Sequence, residues 1–151
     1  MSQAANADTA ARRIPRRWNE TLDGVRWLPR LIDKARMSNA GVLGAYLFGH
    51  SPFDAALLDR LDISTDEFGS LVASSSDDAD VLARLRARGF DEARVRRWSD
   101  RLPHTARWFI PYWDADDRYA PLNWFSNAIV RLWHRIESPV MNAFRAFRRK
   151  P

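Results

Sequence analysis

The chain has 151 residues, 24 basic against 19 acidic side chains and no cysteine, with a formal net charge of +5. The missing cysteine excludes disulfides and thiolate metal sites, and no stretch approaches the roughly 18 uncharged apolar residues of a membrane span. A hydrophobic fraction of 46% suits one domain with a buried core plus tails.

Lys34 and Lys150 are the only lysines, so the positive charge is almost all arginine. A GC-rich genome produces the same Arg and Asp preference, whereas function would use arginine for bidentate contacts to phosphate or carboxylate. Met1 to Ala11 is small and polar, without the apolar segment of a signal peptide, and a cytoplasmic location is expected. Residues 1–17 read as a disordered basic arm carrying Arg12, Arg13, Arg16 and Arg17. The helical domain is expected over 18–119, and an aromatic, basic helical extension over 120–151.

The first helix is expected over Leu28–Met37. Pro29 suits its first turn, and Leu28, Leu31, Ile32 and Ala35 share one face at i, i+3, i+4, i+7. Arg30, Asp33 and Lys34 fall on the other side. The segment from Asn39 to Gly49 is punctuated by Gly41, Gly44 and Gly49 and reads as a turn with a short helix or an extended piece. Ser51-Pro52 then reads as an N-cap with proline at the first helical position, with Phe53, Leu57, Leu58 and Leu61 inward.

Ser64 and Glu67 have capping-box spacing ahead of Phe68, Leu71 and Val72. Ser76 is expected to cap the next helix, with Asp77, Asp78 and Asp80 in its first turn and Gly89 past its end. Asp91 can cap one more, with Val95, Trp98 and Leu102 inward and Pro103 as its stop. Pro111 interrupts an aromatic run, Asp114, Asp116 and Asp117 read as a solvated acidic turn, and Pro121 and Ser138-Pro139 can open two aromatic helices. Strand signals are weak throughout. The expected class is all-α, a compact bundle of five to seven short helices.

The run Trp27-Leu28-Pro29-Arg30-Leu31-Ile32-Asp33-Lys34-Ala35-Arg36 resembles the opening motif of domain-of-unknown-function family 5069, a bacterial family. The likeness continues through Gly44-Ala45-Tyr46-Leu47-Phe48 and Ser51-Pro52-Phe53-Asp54, where the family reads closer to Pro-Leu-Asp. It runs on through Asp62-Ile63, Glu67-Phe68, Ser76-Asp77-Asp78 and Leu82, covering roughly residues 24–102. Trp108-Phe109 and the acidic turn resemble the family's later Trp-Phe and Asp-rich stretch at altered spacing. The resemblance implies a small helical bacterial domain and brings no activity, cofactor or functional residue.

Chemistry is sparse. His50, His104 and His134 form no zinc-helix pattern, and Asp114, Asp116 and Asp117 lack the EF-hand spacing. Neither a metal nor a cofactor is expected. Ser74, Ser75 and Ser76 lack a nucleophile-elbow context, and Gly41 and Gly44 give only a fragment of a phosphate loop.

The polar set Arg30, Asp33, Lys34, Arg36, Tyr46 and His50 carries two readings: an exposed helix face beside a glycine-rich turn, or a recessed small-anion or enzymatic site. The aromatic residues Trp124, Trp133, Phe144 and Phe147 mark three fates for the extension: packing onto the bundle, a protein-partner or homo-oligomer interface through 121–151, or a membrane-surface helix. The basic arm and tail also raise association with nucleic acid or an anionic membrane. The leading expectation is a non-enzymatic protein-interaction or regulatory module.

Overall fold

The computed structural model describes residues 14–119. It divides into two compact units, one ending at Ala106 and one starting at Arg107. The first holds a hairpin of β1 (Thr21–Leu22) and β2 (Val25–Arg26), then α1 (Leu28–Asn39), α2 (Pro52–Arg60), α3 (Thr65–Ser74), α4 (Asp78–Arg88) and α5 (Glu92–Thr105). Within the described part of the second unit lies α6 (Ile110–Asp116). The helical class is as expected.

The hairpin pairs Thr21 with Arg26 and Leu22 with Val25 in antiparallel register. Its turn is Asp23-Gly24, both left-handed at φ 48 and 76, the two-residue geometry that favours Asp-Gly. Strands of two residues are too short to show alternation, which is why the sequence reading of weak strand signals passes over them.

α1 lies at the centre. It packs on α3 and against β1, and every residue from Leu28 to Met37 is buried. Leu28, Leu31, Ile32, Ala35 and Met37 are joined in the core by Trp27, Leu57, Leu61, Phe68, Val72, Val81, Leu85, Val95 and Leu102. Each large apolar side chain so buried contributes about 1.5–3 kcal/mol.

Local chemistry sets the helix ends. The Ser51 hydroxyl accepts from the Asp54 amide at 3.2 Å, with Pro52 opening α2. Ser64 and Glu67 form the expected reciprocal box, and Asp91 accepts from the Arg94 amide at 2.8 Å. At α4 the cap is Asp77 rather than Ser76: its carboxylate accepts from the Asp80 amide at 2.8 Å, while the Ser76 amide donates to Asp80. Acceptor geometry decides this, because an N-cap oxygen must reach the amide three residues on.

α5 runs through Pro103 to Thr105 instead of stopping before it. Proline removes one hydrogen bond, and here it does so in the last turn. There the Thr105 hydroxyl donates to the Arg101 carbonyl at 3.2 Å and the Ala106 amide to Leu102 at 2.9 Å. In the second unit Pro111 sits in the first turn of α6. Asp114 and Asp117, expected in a solvated turn, are buried.

The expected helices opened by Pro121 and Ser138-Pro139 lie outside the described residues, as do Trp124, Trp133, Phe144 and Phe147. Among the described residues no helix is long and apolar enough to cross a membrane.

Candidate functional site

The polar residues of α1 are not on an exposed face. Arg30, Asp33, Lys34 and Arg36 are all buried. Trp27 just ahead of α1, the segment leading to α2, the first turn of α2, the N-terminal stretch around Arg16 and the start of α4 supply what surrounds them, and two clusters result.

The first centres on Asp54, at the third position of α2. Lys34 Nζ lies 3.0 Å from both Asp54 oxygens and donates to the Leu47 carbonyl at 3.2 Å. The Trp27 indole donates to Asp54 Oδ1 at 2.8 Å and the Gly49 amide to Oδ2 at 3.0 Å. Side-chain exposure is 4% for Lys34 and 0% for Asp54. A buried carboxylate keeps its charge only when so surrounded by donors and an opposite charge.

Trp27 completes this cluster from a strained position. It precedes α1 with φ 70 and offers no side-chain cap, a backbone that costs a non-glycine residue roughly 1–2 kcal/mol. Its side chain explains the persistence. Besides the indole bond, Lys34 Nζ and Arg30 Cζ each lie 5.3 Å from its ring, and Phe53 tilts against it at 5.4 Å. These are cation–π contacts, which strengthen when water is excluded, and a tilted ring pair. Arg30 Cζ also lies 5.7 Å from the Tyr46 ring.

The second cluster joins the N-terminal stretch, α1 and α4. Arg16 grips Asp33 with Nε and Nη2, both at 2.8 Å, while its own backbone amide donates to Asp33 Oδ2 at 2.8 Å. Its Nη1 reaches Asp78 Oδ2 at 2.6 Å, and its carbonyl accepts from Arg30 Nη1 at 3.1 Å. Arg36 Nη1 lies 2.8 Å from Asp78 Oδ1. That is a charge contact outside hydrogen-bond alignment, for Arg36 Nε and Nη2 and Asp78 Oδ1 are buried without a hydrogen-bond partner.

These charges tune one another. Burial works against the charged Arg16 guanidinium, but the hydrogen bonds it donates to Asp33 and Asp78 outweigh this and raise its pKa above the ordinary value. Burial likewise favours neutral Asp78, and the hydrogen bond and charge of Arg16, then the charge of Arg36, outweigh it and hold the carboxyl below the usual range.

Of the six residues singled out from sequence, Arg30, Lys34 and Tyr46 gather around Trp27 and Asp54, whereas Asp33 and Arg36 belong to the second cluster. His50 is exposed and takes part in neither. The reading of α1 as an exposed charged face is corrected, because its counter-ions come from Asp54 and Asp78, far along the chain. Arg16, assigned from sequence to a disordered arm, is instead held in the fold. Arg16, Trp27, Asp54 and Asp78 were missed. Asp54, three residues after a Ser-Pro cap, carried a local signal as a helix-start carboxylate but none for its partner.

Among the described residues no group of three or more His, Asp or Glu is arranged to hold a metal ion.

The family model described as "Domain of unknown function (DUF5069)" matches residues 12–117. The chain belongs to that family, and the matched region takes in Arg16 and the Trp108–Asp117 stretch, beyond the 24–102 legible from motifs. No match was found among curated proteins.

Proposed function

We propose that the chain is a non-enzymatic interaction module, with α1 as its internal scaffold and the aromatic stretch from Trp108 onward as its partner surface. The exposure of Trp108 carries the reading. This indole is 61% exposed, the Arg107 guanidinium stands 5.1 Å from its ring, and Tyr119 is 48% exposed. Tryptophan, tyrosine and arginine are the residue types that most often anchor protein interfaces. In support, Lys34 and Arg16 are engaged by carboxylates of the chain itself, which suits holding a fold better than turning over a substrate. Light scattering after size exclusion, with a pull-down, tests it. A complex or dimer weakened by Trp108→Ala or by deletion of 121–151 is expected; a monomer without partners before and after would overturn it.

A second reading rests on Arg36. Two of its buried donors lack a hydrogen-bond partner, and a phosphate or carboxylate group is the kind of acceptor guanidinium suits. Thermal-shift screening with phosphorylated and carboxylated metabolites tests it. Stabilisation abolished by Arg36→Lys supports it, and no stabilisation, or stabilisation that survives the change, counts against it.

A further inference from the structure

α5 is held by one narrow stripe. Of its 14 residues only Val95, Ser99 and Leu102 are buried, at i, i+4, i+7. Arg97, Arg101 and His104 repeat that spacing two residues later, and two residues turn an α-helix by about 200°. The second stripe therefore runs along the face opposite the first, and all three residues are exposed.

Most exposed arginines of this unit have a partner carboxylate: Arg84 with Asp80, Arg86 with Asp23 and Glu92, Arg88 with Glu67, Arg94 with Asp59, and Arg96 with Asp23. Among the described residues Arg97 and Arg101 have none. Asp100, on the flank of the stripe, is turned to Arg26 at 3.4 Å. On the other flank Arg60 lies 5.6 Å from the ring of half-buried Trp98.

We propose that this outward face of α5 binds the phosphate backbone of double-stranded DNA without regard to sequence. A helix about 21 Å long that buries only one edge fits a major groove about 12 Å wide. Two uncompensated guanidinium groups one turn apart on its outer side meet the phosphates that line such a groove. Basic and acidic side chains balance over residues 14–106, so the attraction toward a polyanion is local to this stripe.

Fluorescence anisotropy of a labelled 20-base-pair duplex with the full chain, over a salt series, tests this. Arg97→Gln with Arg101→Gln should weaken binding about tenfold and flatten the salt dependence by about one unit per arginine, with the far-UV spectrum unchanged. Arg84→Gln with Arg88→Gln removes the same charge and should have a much smaller effect. Absence of binding by the wild-type chain, equal effects of the two double variants, or tighter binding to an RNA duplex or to polyglutamate would each overturn the assignment. The last outcome would point to an acidic protein partner instead.

Discussion

Arg16 and Asp33 form a two-pronged ion pair, both prongs at 2.8 Å, that fastens the stretch before the hairpin to the middle of α1. Because Arg16 also reaches Asp78 at the start of α4, one side chain ties three parts of the chain together. A planar fork does this where a lysine cannot. Arg16→Lys should therefore keep the charge yet lower the urea midpoint nearly as much as Arg16→Gln. A midpoint like wild type for the lysine variant would contradict the bidentate role.

Asp78 makes the cluster pH-dependent in a defined direction. Its folded carboxyl is held below the ordinary range, so the folded state binds fewer protons there than the unfolded chain. Its contribution to stability is thus fully present above the unfolded value, near pH 4, and is lost as pH falls through the lower folded value. Urea midpoints of wild type and Asp78→Asn should differ at neutral pH and converge in acid. A gap that stays constant with pH would count against this.

Gly49 and Gly41 separate strain from crowding. Both have positive φ, 73 and 70. A Cβ at Gly41 meets open space, whereas at Gly49 it would run into the Thr65 side chain. Gly41→Ala should cost about 1 kcal/mol, the left-handed penalty alone. Gly49→Ala should cost clearly more, and it would also displace the amide that holds Asp54. Equal losses in chemical denaturation would refute the difference.

The start of α4 offers a compact check on capping. Asp77→Ala should cost about 1 kcal/mol, and Ser76→Ala almost nothing, since only the Asp77 carboxylate accepts from the amide at Asp80. Reversed values from thermal unfolding would restore Ser76 as the cap.

How far these features could be read in the sequence follows from their range. Caps at Ser51, Ser64 and Asp91 were legible because cap and amide lie three residues apart. The apolar stripe of α1 was legible through its period. Asp77 and Ser76 were confused because both are cap residues one position apart. Charge partners were not legible: Lys34 meets Asp54 across 20 residues, and Arg16 meets Asp78 across 62. A polar helix side looks the same in sequence whether water or another segment faces it. The hairpin was hidden by its two-residue strands, although Asp23-Gly24 is a strong turn signal once Thr21–Arg26 is read as one unit.

The central claim is that the charges of α1 hold this fold together, and the Lys34–Asp54 pair tests it most directly. A double-mutant cycle of Lys34→Met and Asp54→Leu in urea denaturation should give single losses of about 3–5 kcal/mol each, because either change leaves an uncompensated buried charge. The double variant should lose less than the sum of the two single losses, because no unpaired charge is left, while the Trp27 indole and Gly49 amide still lack their acceptor. Single variants as stable as wild type, or losses that simply add, would contradict the claim.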